Sequence, residues 1–139
     1  MFSPPAVIRD TPATGGQTGQ FKAKDTPAVI IVWALAATEV ISALARKQRE
    51  GGLKRAVLAQ AKQRLLKLES AWSEVIQYDA VRARARRLLE THPLRAADAL
   101  HLAAALVAFE ERTAGTEFVT FDGRLAEAAE KEGFAVLSA

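Results

Sequence analysis

Apolar and polar positions divide the chain into segments of different period. Over 28–34 the apolar residues run without alternation and are mostly β-branched (Val29, Ile30, Ile31, Val32), as in a strand covered on both faces. Over 37–50 the period lengthens. Val40, Ile41, Leu44 and Ala45 share one helical face, and Gly51-Gly52 ends the helix. A second helix is predicted over 53–73, with Val57, Leu58, Ala61, Leu65, Leu68 and Trp72 as its stripe. A third, over 79–90, has Asp79 as its cap and Arg82, Arg84, Arg86 and Arg87 on its polar face. After His92-Pro93 the segment 94–109 is apolar nearly all round, the mark of a central helix, with Pro93 suited to its first turn. A short strand over 117–121, a helix over 124–132 ended by Gly133, and a strand over 134–137 complete the pattern. The last three form a βαβ unit. The whole predicts an α/β fold, a parallel sheet flanked by helices.

Residues 1–24 differ in character. They are rich in Pro, Gly, Thr and Gln, with one apolar stretch, Ala6-Val7-Ile8. They read as a flexible N-terminal segment, with a short strand at 6–9 as the alternative, set before a domain over 25–139. The 139 residues suit a single domain with a real core. No cysteine is present, which excludes disulfides, zinc thiolates and a Cys nucleophile and fits a reducing cytoplasm. A formal charge of +3 leans mildly toward anionic partners. The start of the chain lacks the basic-then-apolar order of a signal peptide. Residues 26–45 carry a single charge, Glu39, and have the length of a membrane span. The change midway from β-branched to Ala/Leu pattern, with Pro27 and an internal acid, favours a strand and a helix instead, and no membrane.

Three acids stand in apolar surroundings. Glu39 is the one charge between Asp25 and Arg46, Asp98 lies within Ala96-Ala97-Asp98-Ala99-Leu100, and Asp122 directly follows the strand at 117–121. A carboxylate taken into an apolar interior costs several kcal/mol unless it is compensated. A shared Mg²⁺ or Mn²⁺ would compensate all three, since both prefer hard oxygen ligands. In open parallel sheets, ligand sites form at the C-terminal edge of the strands, where the topology can bring these residues together. Each acid also has a plain role open to it. Glu39 suits a first helical turn, Asp98 can pair with Arg95 or His101, and Asp122 before Gly123 suits a turn or a cap.

At these residues the chain resembles bacterial PIN domains of the VapC kind. Thr38-Glu39-Val40-Ile41-Ser42-Ala43-Leu44 is similar to their second acidic motif. Leu94-Arg95-Ala96-Ala97-Asp98-Ala99-Leu100-His101-Leu102-Ala103-Ala104-Ala105 is similar to the third and is the most specific match. Phe118-Val119-Thr120-Phe121-Asp122-Gly123-Arg124-Leu125 is similar to the fourth. The resemblance implies a three-layer PIN-like fold and Mg²⁺- or Mn²⁺-dependent cleavage of RNA. It also implies a toxin neutralised by a small cognate antitoxin protein, and a homodimer. Carried over by position, it makes Glu39, Asp98 and Asp122 the catalytic and metal-site acids, with Thr120 offering a hydroxyl beside them. Metal ions in such a site activate a water, orient the phosphate and neutralise the leaving oxygen. The family's first motif, a strand carrying an Asp and then a helix, is not matched. Val7-Ile8-Arg9-Asp10-Thr11-Pro12-Ala13 echoes it loosely, but Gly15-Gly16-Gln17-Thr18-Gly19-Gln20 follows where the helix belongs. Asp10 is therefore a candidate for the missing acid, and a misplaced start, a frameshift or a decayed copy are alternative origins of the segment.

The remaining candidates are weaker. The arginines at 82, 84, 86 and 87 suit either RNA phosphates or a solvated helix face. His92 and His101 are poor metal-ligand candidates, and His101 suits orienting Asp98 or simple burial. Trp33 and Trp72 read as core, with base stacking as the second option for Trp33. No Gly-rich phosphate loop is present. Three functions stand open: an endoribonuclease toxin, a catalytically defective PIN-like protein that only binds antitoxin or RNA, and an α/β domain whose acids do not converge.

Overall fold

In the computed structural model, which describes residues 7–10 and 29–137, one helix lies at the centre. This is α4 (Ala96–Ala108), where Ala99 and every residue from 101 to 106 are buried. Runs of alanine let neighbouring elements approach closely on several sides. α4 packs against α3 (Tyr78–Thr91), β2 (Val29–Trp33) and β3 (Ser73–Val75), and it touches α5 (Gly123–Lys131). The near-continuous apolar pattern of 94–109 is thus explained by burial on most of its circumference. α5 in turn lies on β4 (Glu117–Val119) and β5 (Ala135–Leu137), and Phe118 meets Phe134 in the core.

The sheet has the order β3-β2-β1-β4-β5, where β1 spans Val7–Asp10. The expected α/β architecture is present, and β2–β3 and β4–β5 pair in parallel. The central strand departs from the expected parallel sheet: β1 runs antiparallel to both β2 and β4. The other four strands therefore share one direction, with Trp33, Val75, Val119 and Leu137 at the same edge. The short strand considered at 6–9 occurs one residue later, and it fills the middle of the sheet. The rest of the N-terminal segment, 1–6 and 11–24, and residue 28 of the expected strand lie outside the described residues.

Several boundaries moved for physical reasons. α1 (Ala36–Arg49) and α2 (Arg55–Ala71) form a hairpin, with Gly51 at φ +77° in the turn. α2 stops two residues short of expectation. Trp72 is extended, and β3 follows as a three-residue strand with only Val75 buried, too short to show a period. The stripe expected on α2 is covered only at Leu58 and Leu65 among its large side chains, while Val57 and Leu68 are exposed. Asp79 does not cap α3: it lies in the first turn and pairs with Arg82, both exposed. α4 begins at Ala96, so Pro93 precedes the helix rather than opening it. Among the described residues no helix is long and apolar enough to cross a membrane, and the weakly charged stretch at 26–45 is divided between β2 and α1 where it is described.

Candidate functional site

Each of the three singled-out acids sits at the start of a helix. Glu39 is in the first turn of α1, Asp98 in the first turn of α4, and Asp122 is the N-cap of α5. A helix starting at residue 94 would have put Asp98 beyond its first turn. It is nearer the end because α4 starts later. Helix starts present unpaired N–H groups and the positive end of the macrodipole, so all three positions favour an anion. Two of the three helices leave the same sheet edge, α1 just after β2 and α5 just after β4.

The plain roles are partly filled. Asp122 Oδ1 accepts the backbone N–H of Leu125 at 2.9 Å, which caps α5. The Asp122 N–H donates to Thr120 Oγ1 at 3.1 Å, and Thr120 is buried. Its hydroxyl therefore orients the turn that carries Asp122. Glu39 Oε2 contacts His101 Nε2 at 2.5 Å across from α4. His101 was read as the partner of Asp98 or as plain core. Its ring nitrogen instead holds Glu39, 62 positions away in the chain. The other ring nitrogen, Nδ1, is buried and has no hydrogen-bond partner among the described residues.

Electrostatics link the acids. Burial, followed by the negative charge of Asp122, pushes the Asp98 carboxyl above the ordinary carboxylate range, and Glu39 adds to the rise. His101 and Arg95 pull in the opposite direction without cancelling it. Asp98 thus lies within range of the charges of both Asp122 and Glu39. A divalent ion suits this donor set in kind, since all three are hard carboxylate oxygens. Among the described residues no three acids or histidines come together as a ready metal-holding group, so a metal would have to draw the acids closer.

Asp10 is placed elsewhere. Because β1 is reversed, Asp10 pairs with Val29 at the N-terminal end of β2, whereas Val7 pairs with Val119 at the C-terminal edge. The three residue steps from Asp10 to Val7 put that backbone roughly 10 Å from the edge that α1 and α5 leave. The reading of Asp10 as the missing first acid is therefore not supported by its position.

The other residues singled out settle as follows. Arg84 is occupied: its guanidinium pairs with Glu111 at 2.8 Å and Glu132 at 3.2 Å, and His92 Nε2 meets Glu132 at 2.8 Å. These pairs tie α3, the loop after α4 and the end of α5 together. With Arg82 on Asp79, the arginine run is largely a structural and solvated face. Trp33 is only 3 % exposed, which removes it from base stacking, and Tyr78 packs edge-on against it at 5.4 Å.

The chain matches the PIN domain family over residues 6–131. It belongs to the PIN-domain family. PIN domains are typically metal-dependent nucleases, generally use divalent metals and bind RNA, and they are often partnered by antitoxins. No curated protein and no solved structure matched the chain.

Proposed function

We propose that this PIN-domain chain is a Mg²⁺-dependent endoribonuclease, with Mn²⁺ able to replace Mg²⁺, that cleaves RNA phosphodiester bonds. Glu39, Asp98 and Asp122 are its site acids. In this reading it is a VapC-like toxin, works in a reducing cytoplasm as a homodimer, and is held by a small cognate antitoxin. The observation that carries the proposal is the placement of three carboxylates at three helix starts, with Asp98 destabilised as an anion first by burial and then by the charges of Asp122 and Glu39. Self-repelling acids lower the stability of a fold, and a cation bound among them relieves that cost. Thr120 and His101 act as positioning residues, the first through the turn at Asp122 and the second through Glu39.

A second reading, a catalytically defective PIN protein that only binds antitoxin or RNA, has its own support. Asp10 lies at the far edge of the sheet, and no ready metal-holding group exists among the described residues. One experiment separates the two. The purified protein is incubated with a mixed RNA pool in Mn²⁺, beside an Asp98→Asn variant and an EDTA control. Cleavage by the wild type that is lost in both controls is the expected result. A folded wild type that cleaves nothing, and whose melting temperature does not respond to Mn²⁺, overturns the nuclease reading in favour of the defective one.

A further inference from the structure

The sheet edge from which α1 and α5 leave, with Glu39 and Asp122 at their starts, also carries exposed apolar side chains, one or more after each strand that ends there. Leu35 follows β2, Ile76 and Tyr78 follow β3, Phe121 follows β4, and Leu137 ends β5. Among the described residues, Tyr78 and Phe121 are the exposed aromatic side chains, at 51 % and 60 %. Both therefore fall on this edge, and Phe121 directly precedes Asp122. Exposed apolar side chains gathered along one edge mark an interaction surface, as single ones scattered over a fold do not. Nothing within the described fold covers Phe121, whereas Tyr78 is steadied from below by its edge contact with buried Trp33.

We propose that Tyr78 and Phe121 are stacking platforms for two unpaired bases of a single-stranded RNA laid across this edge. The proposal rests on the nuclease reading for its site and adds the residues that grip the strand. In the sheet order, β3 and β4 are separated by β2 and β1, so the two platforms start from strands about 14 Å apart. Bases stacked on each other lie ~3.4 Å apart. A strand that reaches both rings must hold its bases apart and lay its backbone over the acids between them. A duplex offers no free base faces for this purpose. Arg95 beside Asp98 and Arg124 beside Asp122 are exposed and supply cationic partners for phosphates on the same edge. An apolar protein segment suits the edge less well, because covering it would bury the carboxylates without a cation. Nucleic acid brings mobile cations with it.

The test is binding of a fluorescein-labelled single-stranded oligoribonucleotide to the full chain by anisotropy, at low salt in EDTA, which stops metal-dependent cleavage. Phe121→Ala and Tyr78→Ala are each expected to weaken binding by about five- to tenfold. Phe121→Trp should retain it, and Leu66→Ala, an exposed apolar position on α2, should leave it unchanged. An abasic strand of the same length should bind weakly and show no response to either substitution. Wild type that fails to bind the strand, or alanine variants that bind as wild type does, overturns the proposal. Variants that lose only self-association, with RNA binding intact, also overturn it and make the edge a contact between copies. Stacking-dependent binding without any cleavage in Mn²⁺ sinks the nuclease reading alone and leaves the platforms standing.

Discussion

Asp122 has two separable jobs, and substitution can tell them apart. Its Oδ1 accepts the Leu125 N–H at 2.9 Å and so caps α5, while its charge bears on Asp98. Asp122→Ala removes both. Loss of a side-chain cap costs about 1 kcal/mol, with up to ~2 at well-ordered helix starts. For a chain of 139 residues, 1 kcal/mol corresponds to a drop of about 3–4 °C in melting temperature. Asp122→Asn keeps an amide oxygen that caps as well as aspartate does. It gives up a charge–dipole attraction of ~0.5 kcal/mol and removes a repulsion on Asp98 that opposes it. The Asn variant should therefore melt within about 1 °C of wild type. Calorimetry of the three proteins checks the stability side. Titration with Mn²⁺, followed by melting temperature, checks the charge: wild type should rise and both variants should respond weakly. Equal destabilisation by Ala and Asn would refute the capping argument. An Asn variant that keeps the full Mn²⁺ response would refute the place of Asp122 in the site.

Three further outcomes follow from the geometry. The Asp98 carboxyl is raised above its unfolded value, so the folded chain holds that proton more tightly than the unfolded chain does. Metal-free wild type should then lose stability relative to Asp98→Asn as pH climbs from the usual carboxylate range through the raised one, which urea midpoints at several pH values will show. Asp10→Asn, at the opposite edge of the sheet, should leave both the Mn²⁺ response and RNA cleavage unchanged, and a loss of either would contradict the reversed β1. Gly133 sits at φ +99°, and an added Cβ would overlap Thr113 Oγ1. Gly133→Ala should cost about 3 kcal/mol from backbone strain and overlap together. Part of that loss should return in a Gly133→Ala, Thr113→Ala double variant, measured by urea unfolding.

The elements with strong local signals were legible in the chain. The β-branched run at Val29–Trp33 announces a strand, although only Val32 and Trp33 of it are buried and Val29 is exposed, and the apolar circumference of α4 announces burial without any partner being known. Gly51 and Gly133, both at positive φ, mark the ends of α1 and α5 as their residue type suggests. The three acids stood out for the same reason: a charge in an apolar stretch needs a compensating environment, and that need is written locally. Strand β3 was not legible, because three residues with one buried side chain carry no period. The direction of β1 was not legible either. A four-residue strand reads the same whichever way it enters the sheet, and only pairing with β2 and β4 reveals that it runs against them and carries Asp10 away from the acids. The bond between His101 and Glu39 depends on α4 crossing to the start of α1, a contact between residues far apart in the chain. Local periodicity records what each segment must bury. Which segments meet, and in which direction, is decided only when the core closes.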